Sequence, residues 1–301
     1  MGRFLVRPVS LGKQIEIMSK VMDYSNSAGV SEDIFSIYRG SGLEFKDYRE
    51  YTPDSDSKHI DWKASLRSDK LLVKEFLQEK GMDVIFVYDV SESMLFGSES
   101  KLKAHFGAEF ILTLAGTAIE SNYNVGLVCF SDKIKKVFMP SSGERQLALM
   151  MDVLSNHSTY GGRFKVKEVL DYVSATFNPG SVVIIVSDFL GDDGDFLKYR
   201  AKYKILSKDY DVITAILRDP RDEFMPEHGG EFVVSDPYST REVSIIPSKI
   251  KDKFEKYAKE QRHMLLKFLD EAKSEVLPLY TNKSYVSETI LFFRRRSYLS
   301  K

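Results

Sequence analysis

Two apolar runs that each stop at an aspartate constrain this chain more than any other feature. Residues 82–88 read M-D-V-I-F-V-Y and end at Asp89; residues 181–187 read S-V-V-I-I-V-S and end at Asp188. Runs this short, rich in β-branched residues and without polar alternation, are expected of strands buried on both faces, as in a parallel sheet covered by helices. The intervening sequence supplies those helices. Residues 102–120 place Phe106, Phe110, Leu114 and Ile119 at intervals of four or five, a helical period. Residues 124–130 read as a strand, 133–139 as a short edge strand, and 144–154 and 164–177 as helices, the second closed by Asn178-Pro179-Gly180. A helix at 196–208, a third apolar strand at 211–217, a long charged helix at 249–273, a strand at 275–280 and a closing helix at 284–298 complete the pattern. Repeated βα units predict an α/β fold, a mainly parallel sheet flanked by helices. In such sheets ligands sit beyond the carboxyl ends of the strands, near the point where strand order reverses. Asp89 and Asp188 are therefore the first candidates for function.

The first 80 residues differ. A helix is expected at 11–22, and 37–73 mixes aromatics, charges and turn residues in short pieces. The expected organisation is a small β-rich subdomain at 1–80 and the α/β domain at 81–301, with 218–248 an irregular segment carrying β-like runs at 231–235 and 242–246. The chain carries 43 basic against 44 acidic side chains. That balance argues against a general electrostatic grip on nucleic acid, which needs a surplus of Lys and Arg. The single cysteine, Cys129, lies in an apolar run and reads as a buried hydrophobe, so no disulfide framework is expected. No segment approaches the ~20 apolar residues of a membrane span, and the first residues lack the apolar centre of a signal peptide. The expected location is the cytoplasm.

The segment Asp89-Val90-Ser91-Glu92-Ser93 follows its strand directly. An Asp-x-Ser-x-Ser order can aim one carboxylate and two hydroxyls into one tight loop. These are hard oxygen donors suited to Mg²⁺ or Mn²⁺. Neutral hydroxyls leave such a cation under-neutralised, so an acidic group from a partner can complete its shell. Asp188 is placed to act from the neighbouring strand. The plainer reading is that these residues cap the following helix, since Ser and Asp favour that position.

Residues 84–94, with 124–132 (NVGLVCFSD) and 181–189 (SVVIIVSDF), resemble strands and metal loop of the Rossmann-like von Willebrand factor A domain. Residues 40–76, GSGLEFKDYREYTPDSDSKHIDWKASLRSDKLLVKEF, resemble the signature of domain-of-unknown-function family fifty-eight, bacterial and archaeal proteins often encoded beside MoxR-type AAA+ ATPases. The segment 217–296 also fits, so the resemblance covers nearly the whole chain. It implies a metal-ion-dependent adhesion site at Asp89, Ser91, Ser93 and Asp188, and a short form without the membrane spans of many relatives. The metal loop of the family takes a further hydroxyl from a Thr after two glycines. Here the matching stretch is Tyr160-Gly161-Gly162-Arg163. Arg163 can pair with Asp89 or Asp188 and take the place of the cation, or point to solvent; Thr159 or Ser158 can supply a shifted hydroxyl.

Arg49, Asp56, Asp61, Trp62 and Arg67 lie in the family signature. They are expected to dock the subdomain onto the sheet, with partner contact as the alternative. The acidic turn at Asp192-Asp193-Gly194-Asp195 reads as a helix cap, with a second cation site or an acidic rim as the alternative, and Arg294-Arg295-Arg296 as complement to a helix end, with contact to phosphate or an acidic partner as the alternative. The leading function is a non-catalytic interaction module working alongside a MoxR-type ATPase in assembling or maturing another complex, a role implied by resemblance. The alternative is a metal-dependent phosphohydrolase with Asp89 as nucleophile. Against it, Ser91 stands where such enzymes carry a general acid, and the five histidines lack triad or metal-ligand spacing. Movement of the last helix, 284–298, on ligand binding is a further expectation.

Overall fold

The computed structural model describes residues 44–52, 60–68, 70–77, 82–190, 195–226, 230, 232–235 and 242–299. The helix expected at 11–22 and the turn at 192–194 lie outside these residues, as does Asp56.

The main sheet is built from β3 (Asp83–Asp89), β4 (Asn124–Phe130), β5 (Ile134–Ser141), β6 (Val182–Ser187), β7 (Asp211–Arg218) and β10 (Glu275–Tyr280). Its order is β10-β7-β6-β3-β4-β5. Every neighbouring pair is parallel except β4 and β5. The chain runs outward from β3 through β4 to β5, then returns to the other side of β3 with β6. The order therefore reverses between β3, which ends at Asp89, and β6, which Asp188 follows directly.

Alternate residues of each central strand serve opposite layers. Val84, Phe86 and Tyr88 enter one apolar cluster with Phe106, Phe110 and Leu114 of α2 (Lys103–Glu120). The same cluster takes Met150 and Leu154 of α3 (Glu144–Ser155), and Phe292 and Phe293 of the closing helix α8 (Tyr285–Leu299). Ile85, Val87, Val183 and Ile185 enter a second cluster with α4 (Val166–Thr176), α5 (Arg200–Asp209) and the C-terminal end of α7 (Pro247–Glu271). Apolar side chains on both faces account for the absence of alternation in the sequence. The antiparallel β5 closes one edge and is only partly covered, as its mixed sequence predicts.

Tyr88 shows how tightly the first layer is fixed. Its hydroxyl donates to the Ala104 carbonyl at 2.7 Å. Gly107 makes room for the ring: a Cβ there would lie 2.8 Å from the Tyr88 hydroxyl. Gly107→Ala gains ~1 kcal/mol of helix propensity but must displace a buried ring, which costs ~1–3 kcal/mol. Net destabilisation of about 1 kcal/mol is expected in urea unfolding, against the gain an unconstrained helix would show.

Ahead of this domain, β1 (Glu44–Glu50) pairs antiparallel with β2 (Leu72–Leu77), with α1 (Trp62–Ser68) between them. Asp61 starts α1: its Oδ1 accepts from the Lys63 and Ala64 backbone, and Oδ2 accepts from the Tyr48 hydroxyl. Trp62 is 66% exposed, and Arg49 and Arg67 are exposed as well. In the irregular stretch after β7, α6 (Pro220–Glu223) precedes the antiparallel pair β8 (Phe232–Ser235) and β9 (Glu242–Ile245). The helix expected at 196–208 is a 3-10 segment, Asp195–Tyr199, followed by α5.

Candidate adhesion site at the switch point

Parallel register pairs Tyr88 with Val186, which sets Asp89 beside Ser187 at the ends of β3 and β6. The Ser187 hydroxyl donates to Asp89 Oδ2 at 2.6 Å. The Ser91 backbone donates to Asp89 Oδ1 at 2.9 Å, which folds the chain into the tight loop. From there the hydroxyls form a chain. Ser91 Oγ lies 3.1 Å from Ser93 Oγ, and Ser93 Oγ donates to Asp188 Oδ1 at 3.0 Å. The four residues predicted from sequence are thus brought together, all of them buried.

A turn with a backbone cost aims Asp188 at this loop. Phe189 has φ +51°, a left-handed conformation that non-glycine residues rarely adopt. Ring contacts to Phe164 at 5.6 Å and Phe196 at 6.0 Å hold it there. The turn lets the Leu190 backbone donate to Asp188 Oδ1 at 2.9 Å.

Burial, and then the negative charge of Asp188, push the Asp89 carboxyl up to about 7; hydrogen bonds from Ser187 and Ser91 pull the other way without prevailing. Two buried carboxylates among hydroxyls make a cluster of hard oxygen donors whose charge a small divalent cation would relieve, so the residues fit Mg²⁺ or Mn²⁺. Among the described residues no group of three or more His, Cys, Asp or Glu is placed to hold a metal. A cation here would rely on the serine hydroxyls.

The glycine loop is stitched to the serine loop. The Gly161 backbone N–H donates to the Val90 carbonyl at 2.7 Å, and the Glu92 backbone N–H to the Gly162 carbonyl at 2.9 Å. Both glycines have positive φ, and a Cβ on Gly162 would lie 2.6 Å from Asp132 Oδ1. Thr159 is buried, but its hydroxyl donates to the Val153 carbonyl at the end of α3. Arg163 is exposed.

The buried cation in contact with Asp188 is a different residue. Lys103, the first residue of α2, sets its Nζ 2.7 Å from Asp188 Oδ2 and 3.1 and 3.0 Å from the two oxygens of Asp222. Burial works against its charged form, but the charges of Asp188 and Asp222 outweigh it and raise the lysine above its ordinary 10.5. Asp222 also accepts from the Asp219 backbone, and Asp219 from that of Arg221, a capping box that starts α6. Asp219 accepts from Ser98 at 2.8 Å and from Thr281 at 3.0 Å, tying together the loops after β3, β7 and β10. Arg218 donates to the Asp188 carbonyl.

Sequence reasoning missed Ser187, Lys103, Arg218, Asp219 and Asp222. One available signal was the charged run Arg218-Asp219-Pro220-Arg221-Asp222 at the end of the third apolar strand, the same placement that marked Asp89 and Asp188.

The family described as "Protein of unknown function DUF58" matches residues 47–264. Uncharacterized proteins of Mycobacterium tuberculosis and Mycobacterium bovis are 22% identical over 280 residues, covering 89% of this chain and 84% of theirs. Among solved structures, the conserved hypothetical protein BatB from Bacteroides thetaiotaomicron aligns with 73% of this chain and all of its own, at 14% identity and a TM-score of 0.46. The VWA domain of SpRpn10 aligns with 69% of this chain and 93% of its own, at 10% identity and a TM-score of 0.40. With most of its length inside the family match, the chain belongs to the DUF58 family.

Proposed function

We propose that this protein is a non-catalytic interaction module that captures an acidic group of a partner protein at a divalent cation held by Asp89, Ser91, Ser93 and Asp188. The observation that carries this reading is the hydrogen-bonded run Asp89–Ser91–Ser93–Asp188 at the switch point, with one carboxyl pushed up by burial and by its neighbour. When bound, Mg²⁺ or Mn²⁺ would supply a positive centre able to attract a carboxylate of a partner. Ser187 and the Ser91 backbone orient Asp89, while Ser93 and the Leu190 backbone orient Asp188. The partner proposed from the family resemblance is a MoxR-type AAA+ ATPase or its client, in the assembly or maturation of another complex.

Two measurements test this. Electron paramagnetic resonance should detect Mn²⁺ binding by the wild type and its loss in the Asp89→Ala/Ser91→Ala variant. A MoxR-type ATPase from the native lysate should be retained with Mg²⁺ and lost both in EDTA and with the variant. Retention in EDTA would overturn the cation-dependent reading. Steady turnover of p-nitrophenyl phosphate, abolished by Asp89→Ala, would replace it with the phosphohydrolase reading.

A further inference from the structure

Lys103 is buried at the start of α2, on a turn whose other inward positions are Ala104, Phe106 and Gly107. A buried lysine without a task is disfavoured, because burial costs the charged form far more than a methyl group would cost. Its task is visible in its contacts. One ammonium serves two carboxylates on different loops, Asp188 after β6 and Asp222 in α6, and the Phe96 ring covers it at 5.6 Å. The two acids are unequal in role. Asp188 closes the Asp89–Ser91–Ser93 oxygen chain, whereas Asp222 stands outside that chain, on a helix of four residues just ahead of the β8–β9 pair. That short helix is also tied outward, since Glu223 accepts from Arg262 of α7 at 3.1 Å.

We infer that Lys103 is a tethered counter-ion divided between Asp188 and Asp222, so that the position of the Asp222 loop sets how strongly the switch-point site holds a divalent cation. The inference rests on the cation reading given above. An ammonium and a divalent cation compete for the negative charge of Asp188. What Asp222 takes from Lys103, Asp188 regains for the cation. Drawing α6 away from the site leaves the ammonium wholly on Asp188 and weakens cation binding; seating α6 against Lys103 strengthens it. A partner that grips residues 219–226 would thereby tune the adhesion site without touching it.

The test is Mn²⁺ affinity of the full chain, read by electron paramagnetic resonance across a double-variant cycle. Asp222→Asn should weaken binding about tenfold and Lys103→Met should tighten it about tenfold, because they shift the shared charge in opposite directions. In the Lys103→Met background, Asp222→Asn should change affinity less than about threefold, since its route of action is gone. Equal weakening by Asp222→Asn in both backgrounds would reduce its role to a simple field effect and overturn the inference. An unchanged or tighter Asp222→Asn would overturn it too, as would weakening by both single variants.

Should Lys103→Met not fold, Glu223→Gln provides the comparison: it removes an equal charge from the same short helix and leaves Lys103 and its contacts alone. Its affinity should stay within about twofold of wild type, and a loss equal to that of Asp222→Asn would sink the coupling. If neither the wild type nor Lys103→Met binds Mn²⁺, the cation reading itself falls. If the wild type binds and the cycle shows the wrong pattern, only the coupling falls.

Discussion

Asp89→Asn stabilises the cation-free protein at pH 8 by ~3 kcal/mol, on the order of 6–12 °C in melting temperature, and leaves it almost unchanged at pH 4. The sign follows from the direction of the shift. Asp89 titrates at about 7 in the folded chain against an ordinary 3.8. Between those values the native state holds a proton that the unfolded state has released. Stability therefore falls as pH rises through this window and stays at the lower level above it. A shift of that size corresponds to ~4 kcal/mol at full ionisation. Asparagine carries no charge to bury, but it denies the Ser187 hydroxyl its carboxylate acceptor, a loss of ~1 kcal/mol. Calorimetry in EDTA from pH 4 to 8.5 reads the difference between variant and wild type, so other titrating groups cancel. A gain independent of pH, or none at pH 8, would show that Asp89 carries no buried charge. Saturating Mg²⁺ should narrow or reverse the order, because binding to the native state alone stabilises the wild type and leaves the variant behind.

Lys103→Ala acts in the other direction, with an expected loss of ~4 kcal/mol in urea unfolding, since it leaves the buried Asp188 and the partly buried Asp222 without their cation. The loss comes from the stranded acids more than from the missing contact, and that can be tested. Adding Asp222→Asn should return ~1–2 kcal/mol, making the double variant more stable than Lys103→Ala alone. Strict additivity, or a single-variant loss below ~1 kcal/mol, would mean that Lys103 is solvated and exerts no hold on the site. The two predictions are linked through Asp188: its negative charge raises Asp89, and the Lys103 ammonium lies against it.

The sequence by itself determined the strands of the main sheet, its mainly parallel class and the two aspartates at its switch point. These depend on local pattern: a run such as 181–187 can be buried on both faces in few other ways, and the residue that ends it must face the carboxyl edge. The Asp-x-Ser-x-Ser loop was legible for the same reason, since its geometry is made within five residues. Tertiary structure decided the electrostatics. Nothing in the local pattern singled out Lys103, and Arg163 was the cation the sequence placed at the site. Arg163 instead lies exposed, while Lys103 is buried against Asp188, 85 positions further along the chain, and against Asp222, 119 positions along. Trp62 is the converse case, a large aromatic that composition alone would bury and that the structure leaves exposed. Periodicity reports which face of an element is covered. It carries no information on which distant loop supplies the opposite charge, because that depends on how crossover connections bring the ends of β3, β6 and β7 to one edge.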